Sequence, residues 1–130
     1  MSLTPTDRRY TKTHEWFLVD KGVVTVGITQ FAADELTDIT FVELPAVGST
    51  ISAGSTFGEI ESVKATGELF SAVGGEVLEV NTALTDAPEL VNQDPFGKGW
   101  MLKLRADDLS PLENLMDARA YEAMIGRRAG

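Results

Sequence analysis

Residues 56–70 run Thr56-Phe57-Gly58-Glu59-Ile60-Glu61-Ser62-Val63-Lys64-Ala65-Thr66-Gly67-Glu68-Leu69-Phe70. A strand-like run reaches Glu61, the residues Ser62-Val63-Lys64-Ala65 follow, and a second run leads to Phe70. Two extended runs joined by so short a link predict a β-hairpin with Lys64 at or near its tip. A tip holds the ε-amine in solvent, away from any core, where another protein's active site can reach it.

The same pattern continues on both sides of the hairpin. Glu15–Val19, Val23–Ile28, Ile39–Leu44, Phe57–Glu61, Glu68–Phe70, Glu76–Val80 and Trp100–Leu104 are rich in Val, Ile, Phe and Trp. Turn residues separate them: Asp20-Lys21-Gly22, Val47-Gly48-Ser49, Ala53-Gly54-Ser55 and Gly74-Gly75. Many short strands with regular glycine turns predict a mainly β fold, a sandwich or a barrel. Gly58-Glu59-Ile60-Glu61 and Gly75-Glu76-Val77-Leu78 echo one another. Two copies of one strand-turn unit would let a small sandwich close around a pseudo-two-fold axis.

Helical spacing interrupts the strands twice. Thr29–Leu36 places Phe31, Ala32 and Leu36 near one face behind a capping Thr29, and so short a helix depends on packing. Near the C-terminus, Ser110-Pro111-Leu112-Glu113 has capping-box spacing with proline at the first helical position. Asp117 is placed to cap a last helix carrying Tyr121, Met124 and Ile125, with Gly126 and Arg127-Arg128 as stop signals.

Composition narrows the chemistry. At 130 residues the chain is read as one domain, residues 1–130. Cysteine is absent, which removes disulfides, thiolate metal sites and thiol nucleophiles and fits a reducing compartment. One histidine, His14, excludes multi-histidine metal sites, and no serine lies in a GxSxG elbow. A formal net charge of −9 disfavours nucleic acid and anionic membrane as partners. No apolar run is long enough to span a bilayer, and Met1–Arg9 lacks the apolar core of a secretory signal. A bacterial cytoplasmic protein is expected, with a mature mitochondrial form as the alternative.

The ordinary role of a lysine on a turn is that of a solvated surface charge. With a pKa of roughly 10.4, only about 0.04% of such a lysine is free amine at pH 7. Such a lysine is a poor nucleophile unaided, so a Schiff-base role for Lys64 is disfavoured. Acylation by an enzyme that brings its own base and an activated carboxyl is compatible with an ordinary lysine.

Glu61-Ser62-Val63-Lys64-Ala65 closely resembles the lipoyl-attachment motif of the glycine cleavage H-protein family, and its surroundings resemble that family in order. Tyr10-Thr11, His14-Glu15-Trp16, Val26-Gly27-Ile28-Thr29 and Phe31-Ala32 come first, then Phe41-Val42-Glu43-Leu44-Pro45 with Val47-Gly48. Gly75-Glu76-Val77, Val80-Asn81, Pro88-Glu89-Leu90-Val91-Asn92, Asp94-Pro95-Phe96, Gly99-Trp100, Leu115 and Tyr121 follow. Two departures stand out: Leu36-Thr37-Asp38 where the family usually has Leu-Gly-Asp, and Ser71-Ala72 where it usually has Ser-Pro. Neither includes Lys64; each is expected to affect a local turn.

The resemblance implies a lipoyl/biotinyl-type barrel-sandwich hybrid with a short internal helix and a C-terminal helix, and a carrier rather than an enzyme. Biotin carriers typically flank their lysine with methionine, whereas Val63 and Ala65 stand here, which favours lipoate on Lys64. The implied partners are a lipoylating enzyme, glycine decarboxylase (P protein), an aminomethyltransferase (T protein) and dihydrolipoamide dehydrogenase (L protein). The carrier would pass an aminomethyl group from the first of these three to the second, and the third would reoxidise the arm. The loaded arm is expected to fold into a cleft whose lining includes Thr13, Glu15 and Glu68, with carboxylates holding its ammonium. Glu61 is a candidate for reading by the lipoylating enzyme. His14 is expected to pack or hydrogen-bond rather than act as a base, and Trp16 and Trp100 to lie in the core. Two other readings remain: an H-like relay that donates lipoyl groups to other enzymes, and an unmodified interaction protein in which Lys64→Arg has no effect.

Overall fold

The structure is a computed structural model and describes residues 4–126. Among these residues, nine strands form two antiparallel sheets. In chain order they are β1 (Arg9–Tyr10), β2 (Glu15–Asp20), β3 (Val23–Ile28), β4 (Ile39–Glu43), β5 (Thr50–Ile51), β6 (Thr56–Ser62), β7 (Thr66–Phe70), β8 (Gly75–Val80) and β9 (Leu102–Ala106). The larger sheet has the order β1-β2-β3-β9-β8-β5 and the smaller the order β4-β6-β7. Four helices join them: α1 (Gln30–Leu36), α2 (Ala83–Asp86), α3 (Leu90–Gln93) and α4 (Ala118–Met124), with a 3₁₀ turn at Ser110–Asn114.

Period-two alternation sets which side chains meet between the sheets. Val24, Val26, Leu102, Leu104 and Val77 come from the larger sheet, and Val42, Phe57, Ile60 and Leu69 from the smaller; all are buried in one cluster. A second cluster, Tyr10, Trp16, Ala118 and Tyr121, seats α4 on the start of β1 and β2. Trp16 is fully buried, its indole N–H donating to the carbonyls of Ile28 and Pro95. Trp100 is half-buried beside this second cluster, with the Lys103 ammonium 5.2 Å from its ring centroid.

The internal echo corresponds to a shared local geometry. Gly58 opens one copy on β6 and Gly75 the other on β8, in opposite sheets. A neighbouring strand's carbonyl occupies the place of a Cβ at each: Glu43 O at 2.0 Å for Gly58 and Arg105 O at 2.1 Å for Gly75. Only glycine permits that approach. An outward glutamate follows, then a core residue, Ile60 or Val77.

Two expectations need correction, and four short elements went unread. The last strand covers Leu102–Ala106, not Trp100–Leu104, because the Trp100 N–H still closes a turn onto Gly97 O. Ser110-Pro111-Leu112-Glu113 begins no α-helix: the Ser110 hydroxyl and amide are spent on the Asp108 carboxylate, and the segment winds as a 3₁₀ turn. Two-residue strands β1 and β5 and the four-residue helices α2 and α3 carry too little periodicity to be seen in sequence. The last helix is capped as expected, Asp117 Oδ1 accepting from Ala120 N at 2.8 Å. The stop signals Arg127-Arg128 lie outside the described residues.

Candidate functional site

β6 and β7 form the hairpin foreseen around Lys64, with Glu61 opposite Thr66 as its last strand pair. Ser62 organises the tip. Its amide donates to Ala65 O at 2.8 Å, and its hydroxyl accepts from the amides of Lys64 and Ala65 at 3.1 and 3.0 Å. One small hydroxyl thus satisfies two tip amides that the strand ladder leaves over, a task serine performs readily in turns. The tip is also tethered from outside, for Val63 N donates to Asp38 O at 3.0 Å. Val63 points its side chain into solvent, 69% exposed, and Lys64 and Ala65 are exposed beside it.

The Lys64 ammonium folds back toward the body and donates to Glu35 O at 3.0 Å, near the C-terminal end of α1. Carbonyls at the end of a helix lack helical partners and attract a cation. Lys64 is exposed among the described residues, so this contact parks the amine without hiding it.

Glu35 also stands on the rim of a cleft of about 280 Å³. One wall is α1, through Phe31, Ala32, Glu35 and Leu36. The opposite wall is the hairpin, through Ile60, Gly67, Glu68 and Leu69. Thr13, His14, Glu15 and Ile28 close the end. Of the residues singled out in sequence, Thr13, Glu15 and Glu68 therefore meet in one place, beside Lys64. Glu61 and Val63 are exposed on the hairpin, outside the lining.

Those three differ in kind. Glu15 is 1% exposed. Its Oε1 accepts from the hydroxyls of Thr11 and Thr13, both at 2.5 Å, and its Oε2 from Phe70 N at 3.2 Å. Burial pushes its carboxyl above the ordinary glutamate value, and these hydrogen bonds pull it only part of the way back. Glu68 pairs with Glu59 across the hairpin and both are exposed, so it borders the cleft at the rim. Thr13 is exposed and serves mainly as a donor to Glu15.

His14 also lines the cleft, and it both packs and hydrogen-bonds, as the sequence predicts. Its Nδ1 lies 2.8 Å from the Tyr121 hydroxyl, which is in turn 2.7 Å from Thr29 Oγ1, and its ring lies 4.9 Å from that of Phe31. Burial lowers its pKa below the ordinary value, against a smaller opposing pull from Glu35, so it is mainly neutral at pH 7. The α1 lining was half visible. Phe31, Ala32 and Leu36 share one face, as the spacing predicts; in the fold that face borders the cleft, while Ala33 is the residue of α1 buried in the core.

Among the described residues, no helix is long and apolar enough to cross a membrane, and no group of three or more His, Asp or Glu is placed to hold a metal ion.

Similarity to known proteins agrees with this geometry. The family described as "Glycine cleavage H-protein" matches residues 8–128. A "Probable glycine cleavage system H protein" of Natronomonas pharaonis is 56% identical over 121 residues, 93% of this chain and 95% of its own. A glycine cleavage system H protein of Geobacillus kaustophilus is 51% identical over 122 residues, 94% of this chain and 96% of its own. Among solved structures, the crystal structure of a glycine cleavage system H protein from Mycobacterium marinum superposes with a TM-score of 0.88 at 39% identity, covering 95% of this chain and 99% of that one. Matched along nearly its whole length in sequence and in fold, the chain belongs to the glycine cleavage H-protein family.

Proposed function

We propose that this chain is the lipoyl shuttle of glycine cleavage, with lipoate in amide linkage on Lys64. It would be lipoylated by a dedicated enzyme, pass an aminomethyl group from glycine decarboxylase to the aminomethyltransferase, and be reoxidised by dihydrolipoamide dehydrogenase, in the bacterial cytoplasm. The observation that carries the reading is an exposed lysine on an ordered hairpin tip whose ammonium rests on the rim of a cleft. The residues present fit the group. Phe31, Ala32, Leu36, Ile60 and Leu69 suit an aliphatic chain, and the buried Glu15 carboxylate offers a partner for a cation at the far end.

Lipoate supplies a dithiolane at the end of a long flexible arm, which takes up a one-carbon amine and two electrons. The chain's own residues do the rest. Ser62 and the Asp38 tether hold the tip in a fixed shape for the lipoylating enzyme and the three catalytic partners. Glu61, exposed one residue before that turn, is the candidate mark read by the lipoylating enzyme. Thr11, Thr13 and the Phe70 amide keep Glu15 hydrogen-bonded inside the cleft, where a cation would favour its ionised form. The apolar wall keeps water from the cargo while the carrier moves between partners.

Intact mass before and after treatment with a lipoate–protein ligase, lipoate and ATP tests the attachment. One lipoyl group is expected on the parent and none on Lys64→Arg; a folded parent that starts unmodified and gains nothing from an active ligase would overturn the reading. The cleft has its own test. Glu15→Gln and Glu68→Gln together should shorten the lifetime of the loaded carrier in buffer, with Glu15 the larger contributor because it is buried. An unchanged lifetime would remove both from the mechanism.

A further inference from the structure

Gly67 sits in the middle of β7 without a backbone reason to be glycine. Its φ lies outside the left-handed region, and a Cβ there would meet only Ile60 Cγ2, at an ordinary 3.7 Å. Every other glycine among the described residues, apart from Gly97 with its Asp94 carboxylate neighbour, has positive φ or a backbone or ring atom crowding the Cβ position. Some have positive φ, as at Gly22 and Gly48; the rest have an atom within 3.0 Å of the Cβ position, as at Gly27, where the Trp16 ring lies 2.6 Å away. Glycine in a strand interior forfeits side-chain packing and loses more conformational entropy on folding than any other residue. Gly67 pairs with the core residue Ile60, shares its inward face, and lines the cleft opposite Phe31 and Leu36 of α1. The direction in which a side chain would grow is therefore the cleft.

We propose that Gly67 sets the bore of this cleft, its missing side chain leaving room for an unbranched aliphatic arm to lie between β7 and α1. The inference rests on the carrier reading above and adds the position that decides what girth of chain enters. A methyl group at 67 would narrow the space, and a branched side chain would obstruct it. Because the Cβ position is free and valine favours strands, Gly67→Val should not harm the fold.

The test uses the full chain as parent, Gly67→Ala and Gly67→Val, each lipoylated by ligase and loaded, with decay followed by intact mass in the absence of partner enzymes. Lipoylation should be equal in all three, since Lys64 and its turn are untouched, and thermal midpoints should be equal or higher in the variants. Decay should quicken on the order of tenfold in Gly67→Val, where the docked population is lost, and by less in Gly67→Ala. Loading should also shift the Phe31 and Leu36 side-chain resonances in the parent but not in Gly67→Val. Equal lifetimes across the three would overturn the proposal, as would a marked drop in the thermal midpoint of both variants, which would make Gly67 a packing requirement. Failure to lipoylate the unmodified parent at Lys64 would overturn it together with the carrier reading; normal lipoylation with unchanged lifetimes would overturn it alone.

Discussion

Thr37 is a β-branched residue with φ 62° and ψ −143°, a conformation that glycine adopts freely and threonine does not. It is locked there: Thr37 N donates to Ala33 O and Asp34 O at the end of α1, and Thr37 O accepts from Asn92 Nδ2 at 2.7 Å. Sequence comparison marked this position as one where the family usually has glycine, and the backbone shows what that glycine is for. The sequence left the neighbourhood invisible, because Asp38, the next residue, supplies the carbonyl that tethers the Lys64 tip. Strain of this kind costs on the order of 1–3 kcal/mol, set against the greater entropy that glycine loses on folding. Thr37→Gly should therefore stabilise the chain by about 1 kcal/mol, raising the thermal midpoint by roughly 4 °C. Calorimetry decides this, and a lower midpoint would show that the threonine is accommodated without strain.

At the scale of elements, α4 has only seven residues and cannot be stable alone. Two devices hold it: the Asp117 cap at its start, and Tyr121, buried and stacked on Tyr10 at 4.9 Å between ring centroids. The Tyr121 hydroxyl reaches Thr29 Oγ1, which itself caps α1 by accepting from Ala32 N at 3.2 Å. The C-terminal helix is thus joined to the helix that forms one wall of the cleft. Both caps were legible in sequence because a capping side chain sits within three residues of its target. The Tyr121–Thr29 contact was not, since it joins positions 92 residues apart. Asp117→Ala should lower stability by about 1 kcal/mol and speed hydrogen exchange in α4. Tyr121→Phe keeps the stacking and removes the hydroxyl, so it should leave α4 docked while loosening the α1 cap. Exchange of the α1 amides, read against those of α4, separates the two. Equal loosening of both helices in Tyr121→Phe would refute a link carried by the hydroxyl.

Over the whole molecule, period-two alternation and glycine turns made the seven longer strands readable, and the two runs flanking Ser62–Ala65 made the hairpin with Lys64 at its tip readable. The cleft was not, because its walls come from separated stretches that only the packed sheets bring together: residues 13–15, Ile28 at the end of β3, α1 and the hairpin. That convergence places two titratable groups with opposite shifts at one end of the cleft. Glu15 is raised above its unfolded value near 4.5, so its contribution to stability is complete below that pH and lost as pH rises through the folded value. His14 is lowered below its unfolded value near 6.5, so its contribution is complete above that pH and lost as pH falls toward the folded value. Desolvation is the main cause in both, with Glu35 acting weakly in favour of the His14 cation. His14 also has φ 74°, which asparagine tolerates better than most residues, so His14→Asn removes the titration with little backbone strain. Stability of parent and variant by urea unfolding between about pH 5 and 8 isolates the histidine. Below about pH 6.5 the parent should lose ground relative to His14→Asn, because the unfolded chain takes up a proton that the folded ring resists. A difference that stays flat would mean that the folded ring takes up a proton as readily as the unfolded one, and one that grows in the parent's favour as pH falls would mean that the folded cleft favours the imidazolium. Tyr121 would then be accepting from Nδ1–H, and the end of the cleft would present a cation beside Glu15, a poor place to receive another.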